Sequence, residues 1–396
     1  MSDERRDAGR RTRRQDSSRT DAAGGEFDFI RRLREEALNR LDIRHKHSSL
    51  ITHHAALPSH HSSLLQGIGD DAAVVRTPGA RLDTVITADL LVENVDFRLK
   101  TTTPRLLGHK ALAVSLSDIA AMGARPRWAL LSIGAPRRLW GGPFLEEFYE
   151  GFFALAGEHG VALVGGDVSR TGAGGRASSR AGPLVIDSIV IGEAGRGRCV
   201  LRSGARPGDG LYVTGALGGA AAGLRLLEGG ARAPRDAQKR AGKMLPESDS
   251  PVARRRRLVL RQLRPEPRVP WGLALGEKKL ASAMIDLSDG LSSDLAHLCR
   301  ESGAGARIDA ARIPVDPSIA SALKLAPEAA LRLALSGGED FELLFTVRPR
   351  DARRLPKHVG GVAATHVGVV TDEPGRVVLV DGGRESVLEA EGYRHF

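Results

Sequence analysis

Cysteine is nearly missing from this sequence. Cys199 and Cys299 are the only two among 396 residues, and they lie a hundred positions apart with no partner motif. This pattern argues against a disulfide scaffold or a zinc site and favours a reducing, cytoplasmic location. Aromatic residues make up only 4% of the chain, so base-stacking platforms for single-stranded nucleic acid are poorly supplied.

Long apolar runs are missing as well. No run approaches the ~20 residues that a membrane span requires, and the N-terminus lacks the apolar segment of a secretory signal. There is no Gly-x-x-x-x-Gly-Lys-Ser/Thr loop, no protein-kinase catalytic loop, no His-Glu-x-x-His and no Gly-x-Ser-x-Gly. We therefore expect neither a membrane protein nor an enzyme built on one of these signatures.

The positive charge has an uneven distribution. The formal net charge is +10, and much of it lies in residues 1–24 and in the run Arg254 to Arg257. A basic tail could bind nucleic acid or anionic membrane, but its polar, aperiodic composition favours a disordered extension. Residues 42–66 hold half of the histidines at irregular spacing, which favours a flexible loop over a metal site.

The chain is long enough for two or three domains, at roughly 150 residues each. Gly, Arg and Pro cluster around residues 194–206, and we place a domain boundary there. The prediction is a basic tail at 1–24, an N-terminal domain at 25–194 and a C-terminal α/β domain at 195–396.

Acidic residues beside glycines or strand ends dominate the rest of the pattern. The central stretch is Met284 to Leu291, where an apolar run leads into Asp286 and Asp289, and Gly290 precedes a predicted helix. A strand would direct Asp286 and Ser288 to one face. The other acid-bearing positions are Asp70/Asp71, Asp89, Asp118, Asp167 and Glu339/Asp340.

Each of these motifs alone is weak, because a Gly-Gly-Asp turn is common without any ligand. Together, with no lysine or arginine inside the motifs, they favour a metal over an ion pair. Carboxylate oxygens suit Mg²⁺, and so many acids imply a polyphosphate bridged by several Mg²⁺ ions. The turn Gly215/Gly218/Gly219 could bind phosphate through its amides or serve close packing, and both interpretations stay open.

At these residues the sequence resembles the thiamine-monophosphate kinase family. The resemblance runs from about Glu26 to Phe396 in the family's order. It rests on the motifs GIGDDAAVV, ITADLLVENVDF, GHKALAVSLSDIAAMGARP, LVGGDVSR, LRSGARPGD, YVTGALGGAAAGL, MIDLSDGLSSDLAHL, ALSGGEDFELLFTV and the final GYRHF.

The resemblance implies the two-domain α/β fold of the aminoimidazole ribonucleotide synthetase superfamily, with the N-terminal sheets of two subunits joined in a homodimer. It implies ATP-dependent phosphorylation of thiamine monophosphate to thiamine diphosphate by direct in-line transfer, with ATP as co-substrate and several Mg²⁺ ions. No membrane partner is expected, and nucleic acid is not an expected partner either.

The resemblance also assigns residues by motif. Asp71, Asp118 and Asp286 are the catalytic candidates. The metal ligands it implies are Asp71, Thr87, Ala88, Asp89, Asp118, Asp167, Asp286 and Asp289. ATP would contact Gly166, Asp167, Arg202 and Ser288, and the substrate would contact Asp96, Glu339 and Tyr393.

Three positions depart from the family pattern. Asp96 stands where the family usually has a histidine, Ala88 where threonine is common, and Ala390 near the usual place of an aromatic residue, which leaves Tyr393 as a weak candidate. The alternative is another ATP-using enzyme of the superfamily, of the aminoimidazole ribonucleotide or selenophosphate synthetase type. A selenophosphate synthetase would need a reactive N-terminal Cys or selenocysteine, which this chain lacks.

Overall fold

The computed structural model describes residues 32, 33, 35, 63–172, 182–234 and 250–392. The predicted basic tail at 1–24, nearly all of the His-rich segment 42–66 and Tyr393 lie outside the described residues. His53–Tyr393 form one compact unit, which contains every strand and helix named below.

The first part of this unit is a six-stranded mixed sheet covered on one face by helices. Its strand order is β1-β2-β3-β6-β4-β5, and only β4 and β5 run parallel. The elements are β1 (Leu64–Gln66), β2 (Ala73–Val75), β3 (Leu82–Val92), α1 (Pro104–Ala121), β4 (Arg125–Pro136), α2 (Phe144–His159), β5 (Ala162–Thr171) and β6 (Val185–Gly195).

The second part is a larger mixed sheet. Its order is β14-β13-β9-β12-β7-β10-β8, with β11 paired to β12. The elements are β7 (Gly210–Thr214), α3 (Gly219–Glu228), α4 (Pro251–Leu263), α5 (Val269–Glu277), β8 (Ala281–Asp286), α6 (Leu291–Ser302), β9 (Gly305–Asp309), α7 (Ser318–Leu323), α8 (Pro327–Ser336), β10 (Leu343–Val347), β11 (His358–Val359), β12 (Val362–Thr371), β13 (Val377–Asp381) and β14 (Arg384–Val387).

Helix α1 lies between the two sheets and fixes their relative position. Thr103 caps its first turn, and a proline occupies its first position, where a missing N–H costs nothing. Most of its residues are buried, because it packs against β3, β6, β8, α2 and α5. Gly108 permits the close approach to α2, since a Cβ there would lie 1.8 Å from the carbonyl oxygen of Phe148.

The outer face of the six-stranded sheet carries exposed apolar side chains. Strand residues alternate between faces, and the residues of β3 that point away from α1 include Ile86 and Leu90, the latter 58% exposed. Trp128 on β4 and Val164 on β5 are also exposed. A row of exposed apolar residues on a sheet is typical of an interaction surface.

The predicted α/β fold class is confirmed, and the structure has two mixed sheets, but two acid-bearing motifs have a different local structure from the one predicted. Asp89 lies inside β3 and not at its end, because β3 and β6 stay paired without interruption from Leu82 to Val92. Asp167 likewise lies within β5 and not in a turn after it. The apolar run from Trp128 to Ile133 predicts a buried strand, yet the side chain of Trp128 is 40% exposed.

Among the described residues, no helix is both long enough and apolar enough to cross a membrane.

Candidate active site

Three carboxylates from distant parts of the chain converge at one point. Asp71, Asp118 and Asp286 each offer an oxygen atom, and these three atoms lie within 4.8 Å of one another. Asp71 precedes β2, Asp118 is on α1 and Asp286 is the last residue of β8. The fold thus unites both sheets and the central helix at a single acidic cluster.

Hydroxyl groups orient two of these acids. Thr87 on β3 donates a hydrogen bond to Asp118 Oδ2 at 2.5 Å, and Ser117 on α1 donates to Asp286 Oδ2 at 2.7 Å. Adjacent residues on one helix therefore serve different purposes, because Asp118 supplies a carboxylate while Ser117 orients the carboxylate of another element.

Arg202, which the sequence resemblance assigns to ATP, is also the basic partner of one of these acids. Its Nη2 donates to Asp71 Oδ1 at 2.6 Å, and its backbone N–H donates to Asp70. The motif around Asp71 contains no lysine or arginine, but folding brings it an arginine from 131 residues away. One guanidinium offsets only part of the charge of the three converging carboxylates.

The remaining negative charge raises the pKa values of the acids. Burial, followed by repulsion from Asp71, raises the pKa of Asp286 to about 8. Burial and then the charge of Asp187 raise the pKa of Asp89 to about 6. Burial and the neighbouring Asp89, Asp286 and Asp71 raise the pKa of Asp118 well above its ordinary value. Several acids that all resist ionisation form a site where a cation would be stabilised.

Two carboxylate oxygen atoms, one in the cluster and one on Asp89, also indicate a cation site. Asp71 Oδ2 and Asp89 Oδ2 are buried and have no hydrogen-bond partner among the described residues. Buried polar atoms are nearly always satisfied, so these two are available for a ligand. A set of carboxylate and hydroxyl oxygens is the donor set that Mg²⁺ prefers, and the residues present fit that ion.

The remaining metal candidates of β3 lie on two faces of the strand. Thr87 and Asp89 point toward α1, whereas the exposed side chain of Ala88 points to the outer face. The methyl group of Ala88 also has no donor atom, so only the backbone oxygen of this residue is a possible ligand.

Gly166 and Asp167 are not brought to the cluster of three acids. Asp167 is exposed on the edge strand β5, opposite Ser132 of β4, and its Oδ1 accepts from the N–H of Val168. Gly166 has φ +147°, and a Cβ there would lie 1.9 Å from Leu131 O, so no other residue fits that position.

The turn after β8 carries Ser288 and Asp289. Asp294 on α6 holds this turn, because its Oδ2 accepts from the N–H groups of Asp289 and Gly290 at 3.2 and 3.0 Å. The sequence places Asp289 at the start of this helix, but the N-cap is Gly290 and the acid in the first turn is Asp294. The carbonyl of Ser288 accepts from Glu339 N–H at 2.7 Å, which joins this turn to the predicted substrate residue.

Glu339 stands at the edge of the same region with an unusual backbone. Its φ is +67°, a left-handed conformation that is uncommon outside glycine. Its Oε1 lies 2.5 Å from Lys110 Nζ on α1, and its Oε2 accepts a hydrogen bond from Gln262 on α4.

The glycine turn before α3 serves packing. The N–H groups of Gly218 and Ala220 donate to Asp340 at 2.5 and 3.0 Å. A Cβ on Gly218 would lie 2.8 Å from the nitrogen of Ala334. Of the two interpretations left open by the sequence, the structure supports close packing, because a carboxylate of the chain itself already occupies these amides.

Asp96 has a local structural contact. Its Oδ2 accepts from the N–H of Val92 at 2.7 Å and so closes the turn that follows β3.

Comparison with known proteins identifies this arrangement. Residues 69–194 match the family described as AIR synthase related protein, N-terminal domain, and residues 206–381 match its C-terminal domain. The chain is 39% identical over 334 residues to thiamine-monophosphate kinase of Escherichia coli (strain K12). The aligned region covers 83% of this chain and 91% of that protein. The chain belongs to the thiamine-monophosphate kinase family.

Solved structures agree. The structure of AaThiL complexed with AMPPCP and TMP has a TM-score of 0.67 at 30% identity and covers 83% of this chain and 92% of that one. Thiamine-monophosphate kinase from Stenotrophomonas maltophilia has a TM-score of 0.64 at 37% identity, with the same coverage of both chains. The family resemblance found in the sequence is therefore confirmed.

Within this thiamine-monophosphate kinase family member, sequence reasoning missed several residues of the site. Lys110, Ser117, Gln262 and Asp294 all contact candidate residues, yet none was selected. Lys110 had a detectable signal, since it is a charged residue directly before the small and apolar run Ala111 to Val114. Gln262 had none, because its partner is 77 residues away.

Proposed function

We propose that this protein transfers the γ-phosphoryl group of ATP to thiamine monophosphate and so forms thiamine diphosphate. The observation that carries the proposal is the convergence of Asp71, Asp118 and Asp286 beside Arg202, in a chain 39% identical to a thiamine-monophosphate kinase. Phosphoryl transfer needs positioning and charge stabilisation more than covalent chemistry, and this cluster supplies both.

Mg²⁺ is the ion proposed for the acidic cluster. Asp71, Asp118 and Asp286 would hold it, together with Thr87, Asp89 and the backbone oxygen of Ala88. Asp167 and Asp289 are proposed as ligands of further ions nearer to the nucleotide. When bound, Mg²⁺ neutralises the charge of phosphate oxygens.

The nucleotide site is proposed around Arg202, with Gly166, Asp167 and Ser288. The guanidinium of Arg202 would compensate the negative charge that develops on the transferred group. Its bond to Asp71 holds the guanidinium beside the cluster, so this charge is in place before the reaction begins. The AMPPCP in the AaThiL structure supports a nucleotide site in this fold.

The substrate site is proposed around Glu339, with Asp96 and Tyr393. TMP is present in that same AaThiL complex. Glu339 is 30% exposed and carries a negative charge suited to an amino group or a cationic ring. Asp96 is already engaged with the backbone of Val92, so its contribution to substrate binding would be smaller.

We also propose a homodimer, with an N-terminal domain at 25–194 and a C-terminal domain at 195–396. The exposed apolar outer face of the six-stranded sheet, including Ile86, Leu90 and Trp128, supports a second copy of this chain as its partner. A cytoplasmic location is proposed because both cysteines are free.

The first experiment is an assay for thiamine diphosphate with purified protein, thiamine monophosphate, ATP and Mg²⁺. Free thiamine and aminoimidazole ribonucleotide precursor serve as control acceptors. Product from the monophosphate alone supports the proposal. ATP consumption with a different acceptor would instead place the enzyme elsewhere in the superfamily.

A further inference from the structure

Lys110 is a buried cation whose partner lies in another part of the fold. Its side chain is 4% exposed, and its Nζ lies 2.5 Å from Glu339 Oε1. Lys110 belongs to α1 beneath the first sheet, whereas Glu339 belongs to the loop that leads into β10 of the second sheet. A lysine is almost never buried unless it is paired, so this contact explains why a charge is tolerated there.

The other oxygen of Glu339 is held independently. Gln262 on α4 donates to Oε2, so two elements fix the two oxygens of one carboxylate. A carboxylate accepts about four hydrogen bonds, so acceptor positions remain for a ligand. The partial exposure of Glu339 leaves these positions reachable from solvent.

The backbone conformation of Glu339 also indicates a ligand site. A residue other than glycine with φ near +67° is strained and persists only where the surrounding structure fixes it, often at a ligand site. Here the Glu339 N–H donates to Ser288 O, and Arg261 and Arg268 bind the nearby Glu342. The loop is thus held on several sides, with the Glu339 side chain directed to Lys110.

Helix α1 sets the distance between this carboxylate and the metal cluster. Lys110 and Ser117 are seven residues apart, which places them on one face about 10 Å apart along the helix. Ser117 contacts Asp286 of the cluster, and Lys110 contacts Glu339. One rigid helix therefore links the acidic cluster, where a phosphate would react, to the Glu339 carboxylate. The two places are about one small molecule's length apart.

We propose that Lys110 and Gln262 are positioning residues that fix the Glu339 carboxylate for recognition of the organic part of the phosphorylated substrate. The inference rests on the proposed function and goes beyond it by assigning substrate specificity to the Lys110–Glu339–Gln262 group. Lys110 acts through Glu339 and does not touch the reacting phosphate.

The test is a double-mutant cycle that measures KM for thiamine monophosphate, KM for ATP and kcat. Lys110→Met should raise KM for thiamine monophosphate about tenfold, because a charge-assisted hydrogen bond that holds the Glu339 carboxylate is lost. KM for ATP and kcat should stay within about threefold, since a group that binds substrate and transition state equally changes KM alone. Lys110→Arg should restore part of the loss.

The Glu339→Gln background separates a positioning role from a general structural one. If Lys110 acts only through Glu339, Lys110→Met has little further effect on KM in that background. Gln262→Leu, which removes no charge, is expected to show the same pattern of KM and kcat. It replaces Lys110→Met if that variant does not fold. Lys278→Met, the same change at an exposed lysine, is the matched control.

Two results would overturn the role of Lys110. One is that Lys110→Met and Glu339→Gln raise KM for thiamine monophosphate by factors that multiply in the double variant. The other is that Lys110→Met impairs KM for ATP and kcat as much as KM for thiamine monophosphate. Binding of thiamine monophosphate measured by calorimetry, with a non-hydrolysable ATP analogue and Mg²⁺ present, should weaken in parallel with KM. Absence of thiamine diphosphate from the wild-type reaction would instead overturn the proposed function itself.

Discussion

Ser117 donates a 2.7 Å hydrogen bond to Asp286, 169 residues further along the chain. Both residues are fully or nearly fully buried, so the bond joins α1 to the end of β8 without competition from water. It holds one carboxylate of the cluster against the helix that carries another, Asp118. The geometry of the acidic cluster therefore depends on a residue that is not itself a carboxylate.

Ser117→Ala should weaken Mg²⁺ binding without removing a ligand. Residues that orient ligands typically change metal affinity by about 10–100-fold, and we expect the low end here because Asp286 is also held by its strand. The measurement is the Mg²⁺ concentration that gives half-maximal turnover. Ser282→Ala removes a similar serine bond to Asp209 and should leave the Mg²⁺ dependence unchanged; an equal shift in both variants would refute the assignment.

Asp286→Asn should abolish turnover while leaving the protein folded. Burial and then repulsion from Asp71 raise the pKa of this carboxyl group to about 8, so it is mostly protonated near pH 7 in the metal-free protein, and a neutral amide costs little stability there. We expect kcat to fall by at least about a hundredfold and the metal-free melting temperature not to fall. Asp381→Asn, at an exposed position, is the control. Full activity of Asp286→Asn would disprove the metal assignment.

His109 should make the protein less stable in acid. Its Nε2–H donates to Pro265 O at 2.8 Å, and burial lowers its pKa to about 3. In the unfolded chain a histidine titrates near pH 6.5. Between about pH 6.5 and 3 only the unfolded state binds a proton at this histidine. Each unit by which the pH is lowered in this range therefore reduces the free energy of unfolding by up to about 1.4 kcal/mol.

Urea unfolding at pH 7.5 and 5.5 tests this. The wild type should lose about 1 kcal/mol more than His109→Gln over this interval, because the variant lacks the titrating group. His358→Gln, which changes an exposed histidine, should behave as the wild type. The same pH dependence in all three proteins would contradict the prediction.

Leu90→Arg should prevent self-association. Leu90 is 58% exposed on the outer face of the six-stranded sheet, and a charge buried in a self-complementary interface would appear in both copies. The expected result in light scattering after size exclusion is a dimer for the wild type and a monomer for the variant. Leu224→Arg, on the exposed side of α3, should remain dimeric. A monomeric wild type would remove the dimer proposal.

Much of the fold was predictable from local patterns. The sequence pattern predicts a helix over Phe144–His159 and a strand over Gly210–Thr214, and the structure has both elements with these bounds. The acids Asp71, Asp118 and Asp286 were also selected from the sequence. Their partners were not predictable in the same way, since Arg202 was selected as an ATP contact and not as the partner of Asp71, and the partner of Asp286 is Ser117, 169 residues earlier.

The sequence by itself determined which chemical groups are present, namely carboxylates beside glycines and strand ends in the order of one enzyme family. Only the tertiary structure decided which of them meet. It unites Asp71, Asp118 and Asp286, leaves Asp167 on an edge strand, and fills the amides before α3 with Asp340. The physical reason is that motifs follow local backbone preferences, whereas the meeting of side chains depends on how α1 packs between the two sheets.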